Sequence, residues 1–343
     1  MSLSLSFADI IAPMDPKEFF GEYFGKKPCY IPGDPAKFEA VMSWSNLGDL
    51  VNMSGIWSSE NLRIIRDRDP LPNEAYCTQD KDRRNHPSLT PHPATVKALL
   101  EDGCSLALNR IDTLSPGLRA LANALESQLF GRAQINLYYS RKDVQAFAPH
   151  DDTHDVHAVH CAGEKDWIVY DFRSDNPINH PNFKGTRQER DRLKGKPLME
   201  LTMKPGDYLY LPRGQYHEAL STTDQCMHLA CGVTHVIGLD LLTLAWEQAM
   251  AHPLFRANVP PNVGPRSAAD QRAYLVELAK LIGNTMASPD FQGLVTEFQA
   301  NFRNVRGSVS FPIDVGSESG SGADPAPGKA GAPLAKSKKT EQV

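Results

Sequence analysis

His150 and Asp152 stand two residues apart at the head of PHDDTHDVHAVHCAGEKDWIVYDF, residues Pro149–Phe172. In an extended strand residues i and i+2 share a face, so one imidazole and one carboxylate point at the same spot while Asp151 points away. His217 closes the strand-like run LYLPRGQYH and supplies a second imidazole. Two imidazoles and one carboxylate, with the remaining positions open, are the facial donor set of non-haem Fe(II) oxygenases. A bare His-x-Asp is a weak signal. Its context makes it more specific: a strand, a turn at Gly163, a strand carrying Lys165, then Pro205-Gly206-Asp207, an apolar run, Leu211-Pro212 and His217. The competing reading is a jelly-roll scaffold that keeps the look of the site without binding metal.

His154, His157 and His160 are rival ligands, but their three-residue spacing matches neither a strand face nor the His-x-Asp geometry. On a strand His157 and His160 face opposite sides. Lys165 raises a different question, because a lysine buried in a mostly apolar barrel is costly unless paired. An anionic ligand would pair it. A dicarboxylic acid that chelates a metal at one end leaves its other carboxylate for such a residue. Asn136 and Tyr138 share one face of the preceding strand and offer hydrogen bonds; the plain alternative is a polar edge face.

These side chains need a scaffold. Strands are expected at Cys104–Leu108, Ala133–Tyr139, Leu198–Met203, Tyr208–Leu211 and Gln225–Val236, besides those on either side of Gly163. Many strands with few helices among them fit a double-sheet jelly roll of the cupin kind. Before the barrel, Asp15 and Pro16 read as an N-cap and first helical residue, and Pro28 ends that helix so that Cys29–Ile31 extends. Phe38, Val41 and Met42, then Leu47, Leu50 and Val51, suggest one or two more helices. Leu62–Ile65 is a short strand, and His86 and His92 fall in an exposed loop. Ser115 caps a helix whose apolar face holds Leu118, Leu121, Leu125 and Leu129. Arg173–Pro197 is a polar, locally basic excursion suited to the barrel mouth. The chain thus divides into an N-terminal α/β portion over 1–103, a barrel core over 104–238, a helical region over 239–312 and a disordered tail over 313–343. The fold class is mainly β with α: a double-stranded β-helix core with N-terminal helices and a C-terminal helical region. The stripes of the last helices, Tyr274, Leu275, Leu278, Leu281 and Ile282 among them, pack on the barrel or form a dimer surface.

Composition narrows the class. The 343 residues are 41% hydrophobic, enough for a sizeable core, and the net charge of −5 gives no bias towards nucleic acid. No apolar run is long enough to span a membrane, and the N-terminus lacks the marks of a signal peptide. The six cysteines are scattered without a Cys-x-x-Cys pair, as expected of reduced thiols in a cytoplasmic protein.

Residues 104–236 resemble the JmjC-type ribosomal oxygenases, cupin-like protein hydroxylases. The resemblance runs through SLALNRIDTLSPGLRALANAL, INLYYS, PHDDTHDV, GEKDWIVYD and KPGDYLYLPRGQYHEAL, and FFGEYFGKKPCYI is similar to the family's opening element. It implies Fe(II), 2-oxoglutarate and dioxygen, with release of succinate and carbon dioxide. It implies His150, Asp152 and His217 as iron ligands, Lys165 as the anchor of the 2-oxoglutarate carboxylate, and Asn136 and Tyr138 beside it. Thr234 stands near where the family offers a hydroxyl to the same ligand. The implied partners are a protein or peptide substrate, a ribosomal protein among the candidates, and a second copy of the chain, with no direct nucleic acid and no membrane. The family's winged helix is expected to be shortened or absent. A hydroxylase of a free amino acid or small metabolite, or a non-catalytic cupin-like binding protein, remains as the alternative; a demethylase ranks below both.

Overall fold

The structure is a computed structural model that describes residues 4–81, 87–181, 187–261, 263–264 and 267–306. His86 and the expected tail over 313–343 lie outside the described residues. In chain order the strands are β1 (Cys29–Ile31), β2 (Leu62–Arg66), β3 (Asp69–Pro70), β4 (Cys77–Lys81), β5 (Pro87–Pro91), β6 (Ser105–Leu108), β7 (Gly131–Ser140), β8 (Asp155–Ala162), β9 (Lys165–Arg173), β10 (Pro197–Met203), β11 (Tyr208–Leu211), β12 (Gln215–Ser221) and β13 (Cys226–His235). The helices are α1 (Phe7–Ile11), α2 (Pro16–Glu18), α3 (Trp44–Asn52), α4 (Pro93–Glu101), α5 (Pro116–Leu129), α6 (Arg187–Leu193), α7 (Gly238–Ala249), α8 (Pro253–Arg256), α9 (Ser267–Ala287) and α10 (Pro289–Asn301).

Eight strands form the large sheet, in the order β1-β11-β8-β13-β7-β6-β2-β3, and β10-β9-β12 form the small one. The two sheets enclose Val156, Ala158, Trp167, Val169, Met203, Leu209 and Leu211. The other face of the large sheet meets the N-terminal helices in the main core. Alternation along single strands decides which residue goes where. On β7, Ala133, Ile135 and Leu137 enter the main core, which turns Asn136 and Tyr138 the other way. On β13, Met227, Leu229, Cys231 and Val233 enter it, which turns His228, Ala230 and Gly232 into the barrel. His157 and His160 do face opposite sides: His157 is fully buried, with Nδ1 2.5 Å from Tyr208 Oη, while His160 Nε2 lies 3.0 Å from the Gly163 carbonyl.

The segment before residue 104 adds β1, β2 and β3 to the large sheet, so the barrel and its N-terminal support share one core. Asp207 ties them together. Its carboxylate accepts from Tyr30 Oη at 2.7 Å, from the Gly33 amide at 2.9 Å and from the Lys204 amide at 2.8 Å. Gly206 beside it has φ +91°, and a Cβ there would lie 1.9 Å from the Asp34 carbonyl oxygen, so only glycine fits. The cap expected at Ser115 is present, its hydroxyl accepting from the Leu118 amide, and the Ser288 hydroxyl accepts from the Phe291 amide in the same way. The helix expected over Phe38, Val41 and Met42 is a series of turns instead. Those side chains are fully buried; packing set their positions, and i→i+3 bonds such as Val41 N to Phe38 O satisfy the backbone.

The end of the helical region docks on α5 and β7. Arg306, with a side chain only 2% exposed, places Nε 3.0 Å from Asp112 Oδ2 and Nη1 2.5 Å from Glu126 Oε2, and donates Nη2 to the Ala133 carbonyl at 2.6 Å. Removing one partner of a buried ion pair costs about 3–5 kcal/mol because the other charge is stranded. Arg306→Ala is therefore expected to lower the urea midpoint of unfolding by that equivalent, read by circular dichroism. An unchanged midpoint would show that this anchor contributes nothing.

Candidate metal centre and ligand cavity

The loop after β7 delivers His150 to the barrel end. It is pinned to β12 by the Asp143 amide on the Ser221 carbonyl and by Gln145 Nε2 on Glu218 at 2.7 Å. His150 itself pairs with His217 as an isolated antiparallel bridge, with N–H to carbonyl bonds of 3.1 and 2.9 Å. The strand expected at His150–Asp152 is thus only one bridge long, and β8 begins at Asp155. The convergence survives because the Gly214 amide also binds the Asp152 carbonyl at 2.9 Å. One ligand atom each from His150, Asp152 and His217 falls within 4.8 Å of the others. Asp152 Oδ2 lies 4.0 Å from His150 Nε2 and 3.8 Å from His217 Nε2.

Both imidazoles are held by their other nitrogen. His150 Nδ1 is 2.9 Å from the Ala148 carbonyl and His217 Nδ1 is 3.0 Å from the Gln215 carbonyl. A carbonyl only accepts, so Nδ1 carries the proton in each ring and the Nε2 lone pair faces Asp152, the arrangement metal-ligating histidines adopt. His217 also stacks on Trp167 at 5.7 Å between ring centres. Burial, then the neighbouring His150, lowers the His217 pKa to about 4, which keeps the ring neutral near neutral pH. Burial alone would raise the Asp152 carboxyl, but His150, His154 and His217 outweigh it and hold it below the usual carboxylate range.

The triad lines a cavity of ≈ 100 Å³ together with Asn136, Tyr138, Lys165, Trp167 and His228. Lys165 is 3% exposed, and among the described residues no carboxylate pairs with it. Burial lowers its pKa. Asn136 Oδ1 accepts from the Arg110 amide at 3.0 Å, which orients the carboxamide. Burial, then the charge of Asp152, raises Tyr138 to about 12, so it remains a hydroxyl donor. Thr234 lies on the inward-facing parity of β13 but one step beyond Gly232; it pairs with Arg132, is exposed and does not line the cavity. Depth along the strand removes it from the group.

Trp167 and His228 are among the cavity residues that were not singled out from the sequence. Trp167 shares the parity of Lys165 on β9. His228 stacks on Tyr138 at 5.3 Å and keeps a buried Nδ1 without a partner among the described residues. The alternation of apolar residues at 227, 229, 231 and 233 was the available signal for His228.

The excursion after β9 divides in two. Arg173 and Asn176 line a cleft near the barrel end. The returning leg lies against the outer face of the small sheet, where Lys194 Nζ is 3.2 Å from Tyr170 Oη and 4.0 Å from Glu218 Oε1. Glu218 follows His217 and so points away from the cavity. Lys194 is thus held at that wall rather than at the mouth.

Residues 112–241 match the family model described as JmjC domain. A bifunctional lysine-specific demethylase and histidyl-hydroxylase NO66 from Aedes aegypti is 26% identical over 269 residues, covering 75% of this chain and 40% of that one. Ribosomal oxygenase 1 from Danio rerio is 26% identical over 266 residues, covering 74% and 46%. The chain therefore spans less than half the length of these curated relatives. Among solved structures, E. coli ycfD superposes with a TM-score of 0.53 at 18% identity, covering 83% of this chain and 71% of that one. The same E. coli ribosomal oxygenase in complex with cobalt and 2-oxoglutarate gives 0.53 at 17% identity, covering 84% and 71%. The small sheet, strands β7, β8, β11 and β13 of the large one and the His–Asp–His cluster at the barrel end lie in the stretch that matches the JmjC domain model, and the fold they build is of the cupin-like kind.

Proposed function

We propose that this protein is an Fe(II)- and 2-oxoglutarate-dependent oxygenase that hydroxylates an amino-acid side chain of a protein or peptide, releasing succinate and carbon dioxide. The observation that carries the reading is the convergence of His150, Asp152 and His217 in the same cavity as a buried lysine with no carboxylate partner among the described residues. The donor set suits Fe(II), since two imidazoles and one carboxylate would leave positions open for cosubstrate and dioxygen. Iron bound there supplies the dioxygen-activating redox chemistry that side chains lack. The chain's own residues hold and orient. The Ala148 and Gln215 carbonyls fix the ligand tautomers, Lys165 receives the far carboxylate of 2-oxoglutarate, and Asn136 and Tyr138 offer hydrogen bonds beside it. Thr234 is left out because it does not reach the cavity. Relatives described as histidyl-hydroxylase and ribosomal oxygenase, and a similar fold crystallised with 2-oxoglutarate, support the reading.

The acceptor in this reading is a protein, a ribosomal protein among the candidates, met in the cytoplasm. The relatives' descriptions support the protein acceptor; among the described residues no helix is long and apolar enough to cross a membrane. The test is mass spectrometry of a cell lysate incubated with the enzyme, Fe(II) and 2-oxoglutarate. One oxygen gained on a protein side chain is the expected result. An oxidised free amino acid would replace the protein substrate with a metabolite, and no consumption of 2-oxoglutarate would leave a non-catalytic cupin.

The reading includes a homodimer. Leu239, Leu242 and Trp246 of α7, Met250 at its C-cap and Leu275 of α9 are each more than half exposed. Apolar side chains concentrated on one pair of helices call for a cover, and a second copy offers the same surface in return. Light scattering at micromolar concentration is expected to give twice the chain mass, and Trp246→Glu to give the single mass. A monomeric parent protein would end this part of the reading.

A further inference from the structure

A second cleft, of ≈ 670 Å³, lies beside the metal cavity, and His154 is the residue common to both linings. Its ring rests on Gly232, where a Cβ would come within 2.6 Å of it. The imidazole of His154 thus stands between the metal cavity and the cleft. Arg173, at the end of β9, and Arg213, in the turn before β12, line the cleft. Neither guanidinium pairs with a carboxylate among the described residues. Arg173 donates Nε to the Arg213 carbonyl at 2.8 Å and Nη1 to the Gly25 carbonyl at 3.0 Å; Arg213 donates Nη2 to Asn176 Oδ1 at 2.8 Å. Each fork has five N–H donors, so both keep donors to spare.

The cleft's own carboxylate does not answer them. Asp155 is 5% exposed and is already engaged by Tyr210 Oη at 2.9 Å, by the Arg213 amide at 2.8 Å and by His235 Nε2 at 3.3 Å. Arg306 marks the contrast, with its arms spent on Asp112 and Glu126. Two half-buried guanidiniums with neutral partners only among the described residues, in a cleft that shares His154 with the metal cavity, suit a negative charge.

We propose that this cleft receives the chain being oxidised, and that the occupant carries an Asp or Glu side chain paired by Arg173 and Arg213. The proposal rests on the oxygenase reading above and names the chemistry of its acceptor. Carboxylates take arginine forks in a bidentate fashion, and one charge-assisted bond changes binding by about tenfold or more. A nucleic-acid strand would require a row of cations along its phosphates, whereas this cleft has two and the whole chain carries a net charge of −5.

The test uses the full chain loaded with Fe(II) under anaerobic conditions and fluorescence anisotropy of labelled peptides. A Glu/Ala peptide is expected to bind at least about tenfold more tightly than a Lys/Ala peptide of equal length. Arg213→Gln is expected to remove that preference, Arg213→Lys to keep part of it, and Arg256→Gln on α8 to leave it intact. Thermal melts confirm that each variant is folded, and Arg173→Gln serves if Arg213→Gln is not. Equal binding of the two peptides, a preference that survives in the folded arginine variant, or tighter binding of a single-stranded RNA oligonucleotide would overturn the proposal. Consumption of 2-oxoglutarate by the parent protein in air is measured in parallel. Its absence would sink the oxygenase reading, while the anisotropy alone decides the cleft.

Discussion

Replacing His217 by alanine is expected to lower 2-oxoglutarate turnover by more than about a hundredfold, since the loss of a residue that merely supports a ligand costs roughly 10–100-fold. The change removes one of three donor atoms grouped within 4.8 Å. It leaves the backbone bridge between His150 and His217 in place. The ring's stacking on Trp167 is lost, so a modest loss of stability is expected, well short of unfolding. Co(II) titration followed by visible absorption separates binding from catalysis: the parent protein should bind the ion and His217→Ala should not. His157→Ala is the control. That imidazole is as deeply buried but faces the N-terminal core, with Nδ1 2.5 Å from Tyr208 Oη, so its loss should cost stability and spare Co(II) binding. If His217→Ala consumes 2-oxoglutarate at the parent rate, the ligand set is wrong.

Lys165→Met should weaken 2-oxoglutarate binding by about ten- to a hundredfold, because a charge-assisted hydrogen bond contributes roughly 1.5–3 kcal/mol. The same substitution should stabilise the ligand-free protein. Lys165 is 3% exposed with no carboxylate partner among the described residues, and a buried uncompensated charge opposes folding. A lysine whose only role is structural would show the reverse pattern. Titration calorimetry reads the first effect and denaturant unfolding the second; unchanged calorimetry would remove Lys165 from the cosubstrate site. A pH dependence follows with a definite sign. Burial holds the folded pKa of Lys165 below the ordinary 10.5, so between the two values the unfolded chain binds more protons. Ligand-free stability should therefore rise as pH climbs through that window. Affinity for 2-oxoglutarate should fall over the same window as the ammonium loses its proton.

Much of the centre was legible in the sequence because its signals are local. Spacing alone put His150 and Asp152 together, and period-two alternation put Asn136 and Tyr138 on the face opposite Ala133, Ile135 and Leu137. The same argument separated His157 from His160. The cap at Ser115 needed only the hydroxyl and the proline beside it. What alternation could not supply was depth. Thr234 has the parity of His228, Ala230 and Gly232, yet it is exposed past the cavity's end. Its position depends on how far β13 runs beside β7 and β8, and on the register shift at Met227–His228. His228 entered the cavity for the same reason. The chain's composition marked Arg173–Pro197 as a basic excursion, but only folding brought Lys194 to Tyr170 and Glu218 while leaving Arg173 at the cleft. The partners of a charge come from strands distant in sequence. Which lysine meets a carboxylate, which arginine meets only neutral partners among the described residues and which imidazole stands between the two cavities were therefore decided by strand order and register, not by any local pattern of residues.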